Sequence, residues 1–328
     1  MAIKSMKVLN IMAFHQKELD LQFGDGINIL IGENGMGKTT LLKMIYAALQ
    51  YSIENQTSGK ELIHFFSNNL RDFSQMKYPG KEKDTCYYEI SDGQHFFKDY
   101  LTKKNGIVSE GWKGLNIQSV FIPTTEMLSH SKGFLAMNQK YNMPFDETQI
   151  DIIVNASLPE TKKVSQSCEI ILKEISEVIN GKVVQEDDTF YIVKNDGRKI
   201  DFSLEAEGMR KLGLLWKLIR NGLLEKDSVL LWDEPEANLN PELYPLVANI
   251  LLALQKNGVQ IFLATHSYNF AKYLEIRRTE REQVFIHNLY RNDSGKEIMS
   301  VSAYKMEDLE PNHIMMADNQ LLDEVYNM

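Results

Sequence analysis

Gly32-Glu33-Asn34-Gly35-Met36-Gly37-Lys38-Thr39 reads G-x-x-x-x-G-K-T, the pattern of a phosphate-binding loop. It follows an apolar run (Ile27, Ile29, Leu30, Ile31) and precedes residues at helical apolar spacing (Leu41, Leu42, Met44, Ile45), so the glycines fall where a strand turns into a helix. Glycine lets successive backbone N–H groups turn inward around an anion, and the following helix aims the positive end of its dipole at the same point. Lys38 is placed to reach terminal phosphates and the Thr39 hydroxyl to hold a magnesium ion. Glu33, Asn34, Met36 and Thr40 complete the set expected around the phosphates. A glycine-rich turn with no ligand is the plainer reading; the flanking strand and helix favour nucleotide.

The chain of 328 residues is long enough for two domains, or for one with a sizeable insertion. Hydrophobic residues make up 43% and charged residues 25%, as in ordinary globular proteins. A net charge of -9 excludes a surface that is basic throughout, so nucleic acid would need a local Lys/Arg patch. Cys86 and Cys168 are too few for a disulfide framework and lack metal-ligand spacing. No apolar run approaches the roughly 18 to 20 residues of a membrane span, and no cleavable signal pattern opens the chain; a soluble cytoplasmic protein without membrane partners is expected.

Residues 5 to 31 predict three short strands, with a Gly24-Asp25-Gly26 turn before the last. Phe14 and His15 could lie against an adenine ring, or Phe14 could be an ordinary core residue. From Tyr51 to Gly114 the pattern changes: a helix over Leu62 to Phe73, then alternating aromatic segments about Ser91-Asp92-Gly93, suggest an inserted lobe. Lys77, Lys81, Lys83, Lys98, Lys103, Lys104 and Lys113 within it are either a solvated face or a patch for nucleic acid or a partner. A buried strand (Asn116 to Pro123), a Met/Phe/Tyr-rich helix to Tyr141, a helix from about Glu160 to Ile179, and a hairpin about Asn195-Asp196-Gly197 come next. No heptad pattern persists long enough for a coiled-coil arm.

Two further stretches carry chemistry. Ser228-Val229-Leu230-Leu231-Trp232-Asp233-Glu234-Pro235 is an apolar strand ending in two carboxylates; one can position magnesium (Asp233) while the other activates water as general base (Glu234). A strand later comes Thr265-His266-Ser267, where His266 could contact a terminal phosphate or the attacking water.

In this order, with Glu236-Ala237-Asn238-Leu239-Asn240-Pro241 between them, these motifs resemble the ABC-type ATPase heads. They look most like the stand-alone AAA-domain ATPases of the overcoming-lysogenization-defect and structural-maintenance-of-chromosomes (SMC) type, many of which serve bacterial anti-phage systems such as Septu and PARIS. The resemblance covers residues 1–50 and 115–295. It implies an α/β, ABC-ATPase-like P-loop NTPase head with a mixed or parallel core sheet, an antiparallel N-terminal sheet and an inserted α+β lobe. Along the chain it implies a first part of the head with the P-loop (1–50), the inserted lobe (51–114), the rest of the head (115–295) and a C-terminal tail (296–328). Within 115–295 fall a helical subdomain (about 127–180), a signature-like segment (204–211), the Walker B strand (228–234) and the switch residue His266.

The resemblance also implies ATP and Mg2+ as cofactors and two heads sandwiching ATP, as a homodimer or higher oligomer. Each phosphate loop is then completed by the partner's signature, matched here by Leu204-Glu205-Ala206-Glu207-Gly208-Met209-Arg210-Lys211. Ala206 stands where the usual serine is and Glu207 where a glycine is. A glutamate near a triphosphate is repulsive unless it points away or a cation intervenes, so Arg210 or Lys211 would have to supply the missing charge. The glutamine that usually senses the γ-phosphate has no clear match; Gln118 precedes the strand's end, and the segment around Glu126 is favoured by position.

The leading expectation is a magnesium-dependent ATPase whose oligomerisation around ATP controls a separate effector, such as a nuclease or toxin, in antiviral defence. A RecF-like DNA-repair clamp, binding DNA through a local patch, is the alternative, and a transporter's ATPase subunit the third. The tail from Tyr290 predicts a hairpin about Asp293-Ser294-Gly295 and a helix ending in Leu321, Leu322 and Val325; it could dock a partner, though packing on its own core is favoured.

Overall fold

A computed structural model describes the chain except residues 1, 16, 54–61, 67–72, 81–83, 102–106, 142, 281, 294 and 328. Strands β1 (Ser5–Leu9), β2 (Leu19–Gln22) and β3 (Ile27–Gly32) come first, and β3 runs through the glycine loop into helix α1 (Lys38–Tyr51). Next come β4 (Tyr87–Ser91), β5 (Phe96–Leu101), β6 (Ile107–Gly111) and β7 (Ser119–Ile122). Helices α2 (Phe134–Tyr141), α3 (Glu147–Ser157) and α4 (Gln166–Val178) lead to β8 (Gly181–Glu186), β9 (Thr189–Lys194) and β10 (Lys199–Asp201). Then α5 (Glu207–Arg220), β11 (Val229–Asp233), α6 (Tyr244–Lys256), β12 (Gln260–Ala264) and α7 (Tyr268–Arg277) alternate. The chain closes with β13 (Val284–Arg291), β14 (Ile298–Ala303) and α8 (His313–Tyr326).

The central sheet has the order β14-β13-β3-β12-β11-β7. Strands β13, β3, β12, β11 and β7 run parallel, and β14 is antiparallel at the edge. Strands buried on both faces must be apolar at nearly every position, and β3, β7, β11 and β12 are buried throughout. The two-residue period of a strand divides these side chains between two cores. Ile29, Val120, Leu230, Trp232, Ile261 and Leu263 face a layer built from α3 to α6. Leu30, Phe121, Val229, Leu231 and Phe262 face α1 and the second sheet. That sheet is antiparallel, β2-β1-β4-β5-β6, so the strands of the 51–114 segment continue β1 directly and share its core. Helix α1, between the two sheets, buries Leu41, Leu42, Met44, Ile45, Tyr46 and Leu49.

Several elements differ from expectation. Within the 62–73 stretch the described residues form a short 3₁₀ turn, Leu62–Phe65, and another begins at Phe73; residues 67–72 of the expected helix, with Lys81, Lys83, Lys103 and Lys104, lie outside the described residues, as does Ser294. Helix α4 starts at Gln166 rather than near Glu160, because the Ser165 hydroxyl accepts from the Cys168 amide and caps it. Helix α3 lies inside the expected helical subdomain, but no separate helix is expected there: its β-branched run (Ile150, Ile152, Ile153, Val154) does not read as helix, yet Asp146 and Gln149 form a capping box that starts one. Asp146 also pairs with Lys43 at 2.7 Å, fastening the helical layer to α1. A second turn, at Asp187 and Asp188, makes the expected hairpin a three-stranded sheet, β10-β9-β8. Finally, α8 has no buried residue, and Leu321, Leu322 and Val325 are exposed rather than packed on the core.

His287, on β13 beside β3, is fully buried. Its ring nitrogens meet the Ser302 hydroxyl (2.8 Å) and the Asn28 amide oxygen (3.3 Å). Burial alone drives its pKa from 6.5 down to about 3. The unfolded chain therefore binds a proton that the folded chain refuses, and this stability is complete above pH 6.5 and is lost as pH falls from there toward 3. Between pH 6.5 and 5 the loss is about 2 kcal/mol. Urea unfolding of His287→Asn at pH 7 and pH 5 is expected to show a pH dependence smaller by about that amount than in the parent.

Candidate functional site

The parallel register decides where the polar groups lie. Asp233 pairs with Ala264, and Ala264 with Leu30, so the ends of β11, β12 and β3 lie side by side, the position where open α/β sheets bind ligands. At the end of β3, Gly32 has φ 140°, and a Cβ there would run into the Leu289 carbonyl of β13. Gly37, at φ 83°, is backed by the Phe14 ring, which a Cβ would strike. Phe14 is therefore a buried support beneath the loop, not a base platform, and His15 is buried and stacked on Tyr78 at 3.5 Å between ring centroids.

Residues Asn34, Gly35, Met36, Gly37, Lys38, Thr39 and Thr40 line a cleft of about 410 Å³ with Ala13 and Glu234. Lys38 is buried and donates to the carbonyls of Gly32 (2.6 Å) and Glu33 (2.9 Å). Burial lowers its pKa, against the carboxylates of Glu234, Asp233, Glu236 and Glu33. The Thr39 hydroxyl donates to Asp233 at 2.9 and 3.1 Å, and Thr124 donates to the same carboxylate at 3.1 Å. Burial raises the Asp233 pKa despite these hydrogen bonds and the nearby Lys43. The pocket's donors are a carboxylate and a hydroxyl beside a phosphate-shaped loop, which fits Mg2+: a hard cation held by few protein oxygens, with phosphate and water for the rest. Among the described residues no cluster of three or more His, Cys, Asp or Glu could hold a metal by itself.

Glu234 leaves the strand with φ 49°, a left-handed conformation that costs a non-glycine residue roughly 1–3 kcal/mol. Its amide donates to Ala264 (2.9 Å), and its carbonyl accepts from the Ala237 amide (3.1 Å) and the Lys211 ammonium (3.3 Å). The resulting turn presents the Glu234 carboxylate to the cleft, 3.3 Å from Nδ1 of His266. Phosphate loop, paired carboxylates and histidine thus lie together at the strand ends.

The signature-like segment does not reach this cleft. Ala206 begins α5 without a side-chain cap, leaving the first helical amides open. Glu205 pairs with Lys194 of β9, and Glu207 accepts from the Asn238 amide at 2.8 Å. Gly208 packs against Asn238 and Leu239, where a Cβ would approach a Leu239 methyl to 3.3 Å. Both expected cations contact their own chain. Arg210 lies 3.5 Å from Glu126, and Lys211 is buried with its ammonium on the Ala237 (2.6 Å) and Glu234 carbonyls. Glu126 itself accepts from the amides of Leu128 (2.5 Å) and Ser129 (3.3 Å). Gln118 lies at the far end of β7, where its carbonyl accepts from Val229. The residue from this strand end that meets the metal-site carboxylate is Thr124, legible only as a hydroxyl two residues past a buried parallel strand.

Residues 131–271 match the family described as AAA domain, putative AbiEii toxin, Type IV TA system. The chain is 28% identical over 262 residues to the DNA replication and repair protein RecF of Streptococcus uberis, covering 78% of this chain and 67% of that protein. It is 32% identical over 122 residues to RecF of Clostridium kluyveri, covering 37% of this chain and only 28% of the relative's length. Among solved structures, an SMC head bound to the C-terminal winged-helix domain of ScpA superposes with a TM-score of 0.58 at 13% identity, over 92% of this chain and 98% of that one. The fold is that of an SMC-head-like P-loop ATPase. Within this fold, Thr124→Val removes one of two hydroxyls donated to Asp233. The Mg2+ concentration giving half-maximal nucleotide hydrolysis is expected to rise ten- to a hundredfold, the usual effect of losing a group that orients a metal ligand, with thermal stability little changed.

Proposed function

We propose that this chain is a magnesium-dependent ATPase of the ABC/SMC-like type whose heads associate around ATP to control a separate effector protein. The observation that carries the hydrolytic part is the single cleft shared by Lys38, Thr39 and Glu234, with Asp233 on Thr39 and His266 on Glu234. Backbone amides of Gly35 to Thr39 and the Lys38 ammonium hold the β- and γ-phosphates. Mg2+, held by Thr39 and Asp233, would offset charge on the phosphate oxygens when bound. Glu234 orients the attacking water and accepts its proton, and His266 steadies the Glu234 carboxylate and the γ-phosphate side of the cleft.

The signature-like segment supports association. The α5 start is uncapped and exposed at Ala206, and Glu207, the residue that would repel a triphosphate, is drawn sideways onto Asn238. Open amides at a helix start suit a partner's γ-phosphate. The family description names a putative toxin of a toxin–antitoxin system, and an effector-linked role in bacterial anti-phage defence is part of this proposal. The RecF relatives favour a second reading, an ATP-dependent DNA clamp.

Glu234→Gln is expected to retain ATP binding and to slow hydrolysis by roughly two to four orders of magnitude, trapping an ATP-bound dimer or larger species visible by light scattering. Hydrolysis at the parental rate would remove Glu234 as the base. Lys38→Ala is expected to abolish nucleotide binding in a titration with labelled ATP. Anisotropy with duplex DNA at two salt concentrations separates the two readings. ATP-dependent binding with a steep salt slope supports the clamp, and its absence together with a copurifying nuclease or toxin supports effector control.

A further inference from the structure

Glu236 lies two residues past the proposed base and takes no part in the proposed hydrolysis, yet it is 7% exposed, an unusual place for a carboxylate. One oxygen accepts from the Thr265 hydroxyl; the other is buried with no hydrogen-bond partner among the described residues. Burial raises its pKa, with His266 and Glu234 among its electrostatic neighbours. Thr265, fully buried, is the residue immediately before His266. Its hydroxyl also accepts from the Ser267 amide at 3.0 Å, and its own amide donates to Leu30 at 3.0 Å. Glu236 therefore grips the loop that carries His266 from the turn that carries Glu234.

We propose that Glu236 is a positioning residue for hydrolysis: through Thr265 it sets the His266 imidazole against the Glu234 carboxylate. A backbone bond from Glu234 to Ala264 links the two loops near this point and the His266–Glu234 contact joins their side chains, but neither restrains the Thr265 side chain. The side-chain bridge from Glu236 supplies that restraint, and its burial keeps water from competing for the Thr265 hydroxyl. This inference rests on the hydrolytic reading of Glu234 and His266.

The test compares Glu236→Ala, Glu236→Gln, Thr265→Val, Thr265→Ser and the double variant Glu236→Ala/Thr265→Val in the full chain. Glu236→Ala and Thr265→Val are each expected to lower kcat about ten- to a hundredfold, the effect of a roughly 1 Å misplacement, while KM for ATP stays within about twofold, because neither residue touches the cleft. The double variant is expected to be no slower than the slower single, as for two ends of one contact. Glu236→Gln and Thr265→Ser, which keep an acceptor and a hydroxyl, are expected to restore kcat to within about threefold. In nitrogen-labelled protein without nucleotide, the His266 ring resonance, assigned through His266→Gln, is expected to move in Thr265→Val and stay in Thr265→Ser. Multiplicative losses in the double variant, a rise in KM at constant kcat, or an unmoved His266 resonance would overturn the proposal. If Glu236→Ala does not fold, Thr265→Val and Glu236→Gln carry the test. Parental hydrolysis in both Glu234→Gln and His266→Gln sinks the hydrolytic reading instead, whereas inactive Glu234→Gln beside fully active Thr265→Val sinks only this one.

Discussion

The structure depends on the common end of three parallel strands. Because β3, β12 and β11 are in register, Gly32, Thr265 and Asp233 emerge within a residue or two of each other at one edge of the sheet. Each strand end then turns in a way its neighbours enforce. Gly32 must be glycine because the Leu289 carbonyl occupies the space of a side chain. Glu234 is held left-handed by Ala264 on one side and Lys211 on the other. A slip of one residue in the β11–β12 pairing would exchange the two cores and turn Asp233 away from Thr39.

Lys211 shows how the two proposed halves of an ATP site are joined within one chain. It belongs to α5, four residues beyond Glu207, and its ammonium holds the carbonyls of Glu234 and Ala237. Burial lowers its pKa, and two carbonyl contacts and nearby carboxylates keep a buried cation tolerable. With the Glu207–Asn238 hydrogen bond and the close packing of Gly208 on Leu239, the start of α5 and the turn after β11 form one unit. A phosphate drawing on the α5 start would pull on the same turn that aims Glu234. Motion of a whole packed unit transmits more than motion of a loose loop would.

Much of this arrangement is legible in the residues. Apolar strands ended by Gly32, Asp233 and Thr265 mark the sheet, and the order of the motifs marks the head, because burial on both faces leaves little freedom in composition. The local side-chain work is not legible. Helix α3 hides behind β-branched residues whose propensity is outweighed by a capping box and by packing on β7. Thr124 and Glu236 carry no periodicity, and nothing in the order of residues says which hydroxyl or carboxylate will face Asp233 or Thr265. Phe14 is ambiguous for the same reason: an aromatic beside a glycine loop can lie over a base or under the backbone, and only the position of Gly37 against its ring decides. The substitutions in the signature segment are visible in sequence, but their resolution is not. Lys211 faces inward, Arg210 faces Glu126, and Glu207 bends to Asn238.

The balance of charge in the cleft comes from these placements. Asp233, Glu234 and Glu236 descend from a single strand end, with Glu33 on the loop above, and Lys38, Lys211 and Lys43 are cations near them. A triphosphate adds several more negative charges to a site whose Asp233 is already pushed toward its protonated form by burial. At an effective dielectric of about 20, each unit charge held about 4 Å away contributes roughly 4 kcal/mol, so a bound triphosphate would have to be offset against these carboxylates as well as held by Lys38 and the loop amides. A divalent cation between Asp233 and the phosphates would offset both sets of charges and draw the Asp233 pKa back down. On the proposed reading, the acidic strand end would make nucleotide and metal interdependent, each binding more favourably when the other is present.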